Sequence, residues 1–112
     1  EGGLGRVACA SGLSAQVCTV MALAQSGDHI VSSANLYGGT VTQFGVSLKR
    51  LGIETTFVPG GEPGPMAAAV KPNTRLMFTE TIGNPAGNVA DLTALVVFGK
   101  PCIDCRQRFA SD

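Results

Sequence analysis

Three short segments of this 112-residue chain carry residue types that could bind a small ligand. Ser11-Gly12-Leu13 stands at the start of a predicted helix, where free backbone N–H groups can hold a phosphate. Tyr37 is the only tyrosine, and the following Gly38-Gly39 leaves room for its ring to lie flat on a planar group. Glu80 and Asn84 follow a predicted strand and offer a carboxylate and an amide. Together these groups suit a planar, anionic ligand without identifying it.

Each segment also has a plainer structural interpretation, and spacing alone leaves both open. A serine before a helix, such as Ser11, is more often an ordinary N-cap than part of a phosphate site. A lone tyrosine in a glycine loop is usually packed on the surface. Glu80 and Asn84 fit a polar network that caps a strand end about as well as they fit a ligand.

The spacing of apolar residues predicts the elements that carry these segments. From residue 11 to residue 25 this spacing is helical and predicts one buried stripe. The stripe consists of Leu13, Val17, Val20, Met21 and Ala24. The other predicted elements are strands at 29–33, 53–58 and 75–79 and helices at 41–51 and 66–70. The alternation of helix and strand predicts an α/β fold with a largely parallel sheet covered by helices. Ligands bind at the carboxyl ends of such strands, so ligand-binding residues are expected there.

The composition excludes several classes of protein. Hydrophobic residues make up 45% and charged residues 14% of the chain, which is typical of a globular domain rather than a disordered one. Eight basic and eight acidic side chains balance, so the electrostatic basis for binding nucleic acid is missing. The apolar stretches fall short of a membrane span, and the first residues do not resemble a signal peptide. We therefore expect neither a nucleic-acid nor a membrane partner.

The four cysteines could indicate disulfides or a metal site. Cys102 and Cys105 have CxxC spacing, but zinc needs further ligands at suitable spacing. Cys9 and Cys18 lie among valine and alanine, which favours buried or incidental thiols. We expect no metal site, and we expect the reduced thiols of a cytoplasmic protein.

Ordered motifs of this chain resemble one known family, the pyridoxal-phosphate-dependent enzymes of cysteine and methionine metabolism. The motifs are Ala10-Ser11-Gly12-Leu13-Ser14-Ala15, Gly27-Asp28-His29-Ile30-Val31-Ser32-Ser33 running into Leu36-Tyr37-Gly38-Gly39-Thr40, Leu51-Gly52-Ile53-Glu54, and Pro72-Asn73-Thr74 through Glu80-Thr81-Ile82-Gly83-Asn84-Pro85. The resemblance covers most of residues 1–95. Within the family, Ile82-Gly83 with Asn88-Val89-Ala90-Asp91 downstream is most similar to the O-acetylhomoserine sulfhydrylases.

The resemblance implies a cofactor, pyridoxal 5'-phosphate, and a set of residues that bind it. Backbone N–H groups of the Ser11-Gly12-Leu13 segment would hold the cofactor phosphate. Tyr37 would stack on the pyridine ring and, as the catalytic residue, assist proton transfer. Asn84 would bond the ring hydroxyl, and Glu80 would support this cofactor-binding set.

The resemblance also implies an activity for the full-length enzyme. In this γ-replacement acetate leaves O-acetylhomoserine, and sulfide or a thiol adds to give homocysteine or methionine. Enzymes of the cystathionine γ-synthase or methionine γ-lyase type are the alternatives within the family. Members are usually cytoplasmic homotetramers, so a small amino-acid substrate and identical subunits are the expected partners. Outside the family, a non-catalytic α/β module that binds a phosphorylated ligand is the alternative.

The family's Schiff-base lysine has no counterpart in the matched part of the chain. By resemblance it belongs to a Ser- and Thr-rich motif downstream of residue 112. Lys49, Lys71 and Lys100 lie in other contexts. We therefore expect the 112-residue chain to be inactive alone.

The end of the chain departs from the family pattern. The aspartate that pairs with the pyridinium nitrogen belongs to a Val-Asp-Asn strand, and Asp104 lacks that context. With one choice of codons for residues 104–109, a one-base shift reads Thr-Val-Asp-Asn-Val. We therefore divide the chain after residue 95. Residues 1–95 are expected to be a fragment of the large cofactor-binding domain of a fold-type I, aminotransferase-like enzyme. Residues 96–112 are a divergent tail, which a frameshift would explain.

Overall fold

The computed structural model describes residues 5–96 and 102–104. The elements of these residues are, in chain order, α1 (Gly12–Leu23), β1 (His29–Ser33), α2 (Gly38–Thr42), a π-helical turn (Gln43–Ser47), α3 (Leu48–Arg50), β2 (Glu54–Val58), a 3₁₀ turn (Pro59–Gly61), α4 (Pro63–Ala68), β3 (Thr74–Thr79), α5 (Leu92–Val96) and β4 (Cys102–Asp104). The π-helical turn follows α2 directly and runs into α3, so the chain is helical from residue 38 to residue 50.

The four described strands form one parallel sheet in the order β2-β1-β3-β4. The predicted α/β fold with a largely parallel sheet is therefore confirmed. Because the strands are parallel, the chain leaves β1, β2 and β3 at the same edge, after Ser33, Val58 and Thr79.

Apolar side chains of the sheet alternate between two faces, as the period of a strand requires. On one face Ile30 and Phe78 join a cluster with Phe44, whose ring meets that of Phe78 edge-on at a centroid distance of 4.7 Å. On the other face Val31 and Met77 pack in a second cluster, to which α4 and α5 contribute. Helices thus cover both faces, as is usual for a parallel sheet.

The predicted buried stripe of α1 is only partly correct. Ser11 is the N-cap, as predicted, but Gln16 and Val20 are the buried residues of this helix. Val17 and Met21 remain 38% and 46% exposed. Both pairs have a spacing of four, so periodicity identified the helix without deciding which row of side chains faces the sheet.

Two other helices begin earlier than the sequence predicted. The helix expected over 41–51 starts at Gly38, because the carbonyl of Tyr37 accepts the N–H groups of Thr40 and Val41. The helix expected over 66–70 spans Pro63–Ala68, with proline in its first turn where the missing N–H costs nothing. Neither α5 nor β4 was predicted.

The cysteines differ from the expectation in part. Cys9 and Cys18 are exposed rather than buried, because Cys9 precedes α1 on an exposed segment and Cys18 lies on its outer surface. Residues 102–104 of the divergent tail form β4, whereas Cys105 and the rest of the CxxC prediction lie outside the described residues. The frameshift and the division at residue 95 stay predictions.

Candidate functional site

The loops that follow β1 and β3 are joined at the carboxyl edge of the sheet. The backbone N–H of Tyr37 donates to Oε1 of Glu80 at 2.9 Å. The backbone N–H of Asn84 donates to the carbonyl of Asn35 at 3.2 Å. Two of the three predicted ligand-binding segments are therefore in contact, as expected for loops at the carboxyl ends of neighbouring strands.

The first turn of α1 has the geometry of an anion site. Ser11 has extended backbone angles, and its hydroxyl accepts the N–H of Ser14 at 3.1 Å. The N–H groups of Gly12 and Leu13 have no acceptor within the helix, because the first turn never supplies one. They lie at the positive end of the helix dipole, where a phosphate is favoured.

Tyr37 is the N-cap residue of α2, and its side chain is 47% exposed. Its ring packs over Gly39: a Cβ added there would lie 2.6 Å from Cε1 of Tyr37 and 3.4 Å from Cδ1 of Leu13. The glycine therefore lets the ring lie close to the backbone of α2 and near the first turn of α1. A half-exposed ring beside a helix N-terminus matches the two ends of a planar phosphorylated ligand.

Two glutamines that the sequence analysis did not select tie α1 to α2 and the π-helical turn. Nε2 of the buried Gln16 donates to Oγ1 of Thr40 at 3.2 Å. Nε2 of Gln43 donates to the carbonyl of Leu13 at 3.1 Å. Gln16 could have been noticed as a polar residue one turn from the buried Val20. Gln43 carries no such signal, although π-helical turns are often found at functional sites.

The polar residues after β3 are held in place by different groups. Glu80 is half-buried and bonds the backbone of Tyr37, which is the structural role considered in the sequence analysis. Asn84 is exposed and is followed by a cis peptide bond to Pro85. Its backbone N–H is bound by the carbonyl of Asn35, which follows β1 at the same edge.

His29, the only histidine, lies at the opposite edge, at the start of β1. Its ring is buried, with Nδ1 and Nε2 each 2.8 Å from a threonine hydroxyl, of Thr74 and Thr56 respectively. Burial lowers the pKa of His29, and the positive charge of Lys71 lowers it further, while Glu54 opposes them. Both ring nitrogens of His29 are thus bonded within the sheet, and the residue is remote from the carboxyl-edge loops.

Within residues 5–96 and 102–104, no three His, Cys, Asp or Glu side chains come together as metal ligands. In the same residues, every helix is too short or too polar to cross a membrane.

An α/β sheet with a helix N-terminus and an exposed aromatic ring at its carboxyl edge is the arrangement expected of proteins that bind planar, phosphorylated ligands. The family model for Cys/Met metabolism PLP-dependent enzymes matches residues 1–102. The chain therefore belongs to this family, whose cofactor is pyridoxal phosphate.

Individual relatives agree with the family match. The chain is 52% identical over 96 residues to O-acetyl-L-homoserine sulfhydrylase 1 of Thermus thermophilus, covering 85% of this chain and 23% of that protein. It is 46% identical over 96 residues to a homocysteine/cysteine synthase of Kluyveromyces lactis, covering 86% and 22%. The structure is similar to that of an O-acetylhomoserine sulfhydrylase of Wolinella succinogenes, with a TM-score of 0.86 and 36% identity over 92% of this chain and 30% of that one. The chain thus spans less than a third of the length of these relatives.

Proposed function

We propose that this chain is the part of a pyridoxal-phosphate-dependent O-acetylhomoserine sulfhydrylase that holds the cofactor's phosphate and ring. One observation carries the proposal: the exposed ring of Tyr37 lies over Gly39 and beside Leu13, in the first turn of α1. This arrangement supports the proposal, because a ring on which a planar group could stack lies next to N–H groups that could bind an anion. It is supported by the relatives named above, although the chain spans only 23% of the first of them.

In the proposed site each residue acts on a different part of the ligand. The N–H groups of Gly12 and Leu13 bind the phosphate. The hydroxyl of Ser11 accepts the N–H of Ser14 and so caps the helix at the end where the phosphate binds. Tyr37 stacks on the ring and holds or moves a proton at its hydroxyl. Asn84 donates an amide N–H to the ring hydroxyl. Glu80 accepts the backbone N–H of Tyr37 and so fixes the position of that residue. When bound, pyridoxal phosphate supplies an electron sink for charge that develops on the substrate.

The lysines of the described residues lie away from this edge, which supports the expectation that the covalent attachment comes from elsewhere. Lys49 is in α3, beside Glu54 at the start of β2, and Lys71 comes before β3. Both belong to the amino edge of the sheet. We propose that the Schiff-base lysine is the downstream one that the family resemblance implies, and that residues 1–95 are a fragment of the cofactor-binding domain.

The proposed reaction releases acetate from O-acetylhomoserine and joins sulfide or a thiol to the same carbon, giving homocysteine or methionine. The contribution of this chain is to orient the cofactor ring so that proton transfer at Tyr37 is aligned with it. The substrate class is therefore a small O-acylated amino acid. We also propose a cytoplasmic homotetramer on the strength of the resemblance, and light scattering that gives a mass other than four chains would contradict it.

Pyridoxine 5'-phosphate is the sharpest probe of the site, because it has the ring, the ring hydroxyl and the phosphate but no aldehyde for a lysine. We expect the protein that carries this chain to bind it in equilibrium dialysis and to bind unphosphorylated pyridoxine much more weakly. Binding of both with equal affinity would contradict a phosphate site at α1. Binding of inorganic phosphate as tightly as pyridoxine 5'-phosphate would contradict the ring platform and favour a module that recognises phosphate alone.

The catalytic part of the proposal needs a separate measurement on the protein together with its downstream lysine. With sulfide present, we expect acetate release from O-acetylhomoserine. The Tyr37→Phe variant should keep the affinity for pyridoxine 5'-phosphate, because its ring still stacks, while the rate falls by about 100-fold or more. An unchanged rate would remove Tyr37 from the reaction without affecting the proposed cofactor site.

A further inference from the structure

The segment that carries Asn84 is a small hairpin on the surface of the protein. Ile82 and Val89 form an antiparallel bridge, and the N–H of Ala90 donates to the carbonyl of Thr81 at 3.0 Å. The side chains at the bridge are 64% and 74% exposed. Apolar burial therefore does little to fix this hairpin on the sheet, and polar contacts have to do so.

Asn88 supplies these contacts to two other loops. Its Oδ1 accepts the side-chain amide of Asn35, after β1, at 3.0 Å. Its Nδ2 donates to the carbonyl of Gly60, after β2, at 2.9 Å. One side chain in the loop after β3 thus bonds the loops that follow β1 and β2.

Inside the hairpin, Asn88 is also fitted to Gly83. The carbonyl of Asn88 accepts the N–H of Gly83 at 2.8 Å. A Cβ added at Gly83 would collide with Oδ1 of Asn88 and lie 3.0 Å from Cβ of Asn35. Glycine is therefore needed for the Asn88 side chain to reach Asn35, and Gly83 directly precedes Asn84.

We propose that Asn88 is a positioning residue, which fixes the hairpin against the loops after β1 and β2 and thereby sets where Asn84 presents its amide to the ligand. This inference rests on the proposed function, because it takes the ring hydroxyl of the cofactor as the partner of Asn84. Two residues of the motif after β3 thereby have a physical reason. Gly83 leaves space for the Asn88 side chain, and the carbonyl of Asn88 accepts the N–H of Gly83.

The test measures the part of the affinity that depends on the ring hydroxyl. In equilibrium dialysis, the dissociation constant of the 3-deoxy analogue of pyridoxine 5'-phosphate is divided by that of pyridoxine 5'-phosphate. For the unaltered protein we expect a ratio of roughly five, the worth of one hydrogen bond. In Asn88→Ala the ratio should fall close to one, because the hairpin loses its side-chain bonds to Asn35 and Gly60 and the backbone bond of Asn84 to Asn35 alone does not align its amide. The affinity for the deoxy analogue should change little.

Asn73 offers a matched control at the other edge of the sheet. Its Nδ2 donates to the carbonyl of Gly27 at 2.9 Å, the same kind of bond that Asn88 makes to Gly60. Asn73→Ala should keep the ratio of the unaltered protein. If Asn88→Ala does not fold, Asn88→Asp keeps the side-chain volume and loses the donor to Gly60, and its ratio should fall as well.

The outcomes separate this inference from the proposed function. A ratio that falls in the Asn88 variants and stays in Asn73→Ala supports the positioning role. A ratio that stays in all variants, or falls equally in Asn73→Ala, overturns it and leaves the cofactor site intact. A ratio of one in the unaltered protein, or no binding of pyridoxine 5'-phosphate, overturns the proposed role of Asn84 itself, and the inference with it.

Discussion

Substituting alanine for Gly39 moves the ring of Tyr37 without changing any group that would bind the ligand. The new Cβ would lie 2.6 Å from Cε1 and 3.2 Å from Cδ1 of Tyr37. Carbon atoms pack at about 3.5–4.0 Å, so the ring edge must shift by about 1 Å. The ring is 47% exposed and can move outward, and alanine is favoured over glycine in a helix by about 1 kcal/mol. We therefore expect a change in unfolding free energy of no more than about 1 kcal/mol.

The effect on binding should be larger than the effect on stability. Aromatic stacking contributes about 0.5–1.5 kcal/mol, so loss of the flat contact weakens binding of pyridoxine 5'-phosphate by about 2- to 12-fold. Gly38→Ala is the control, because it lies in the same turn of α2 and no described atom lies within 4 Å of an added Cβ. The affinity of both variants for pyridoxine 5'-phosphate is measured by equilibrium dialysis. Equal affinities for Gly38→Ala and Gly39→Ala would refute the idea that the Tyr37 ring is the platform.

Three further substitutions or conditions test other parts of the structure. Gln43→Met removes the donor to the Leu13 carbonyl. We expect the free energy of unfolding, measured in urea, to fall by about 1 kcal/mol and pyridoxine 5'-phosphate to bind more weakly. Unchanged binding would show that this hydrogen bond has only a structural role. Ser11→Ala removes the N-cap bond to Ser14 and should cost about 1 kcal/mol, whereas Ser11→Asp should retain the stability but repel the phosphate. Burial lowers the pKa of His29 in the folded protein. As the pH falls, this histidine is therefore protonated at a higher pH in the unfolded chain than in the folded one, and the free energy of unfolding should decline below about pH 6.5. A melting temperature that stays constant between pH 8 and pH 5.5 would contradict this.

The fold was predictable because its signals are local. Short strands such as β1 contain adjacent β-branched residues, Ile30 and Val31, and the helical segments between the strands repeat their apolar residues with a helical period. The register of α1 was not predictable, because Val17 and Met21 repeat with the same spacing as Gln16 and Val20. Only contact with the sheet distinguishes the two rows of side chains.

The candidate residues of the site could be selected from the sequence, whereas the contacts that support them could not. Ser11 and Tyr37 stand out by residue type, position and neighbours. The backbone N–H of Tyr37 is bound by a carboxylate 43 positions downstream, which no local pattern indicates. Similarly, Asn88 reads as an ordinary loop residue, since the bonds that distinguish it run to loops after two other strands.

A common rule underlies these contacts. Where loops meet at the carboxyl edge, the backbone N–H groups of Tyr37 and Asn84 are used within the protein, by Glu80 and by the carbonyl of Asn35. Because the acceptors belong to other loops, these two hydrogen bonds also fix the loops to one another. Both side chains are thereby left exposed, Tyr37 at 47%. A ligand can then meet groups that are already oriented, which reduces the ordering cost of binding.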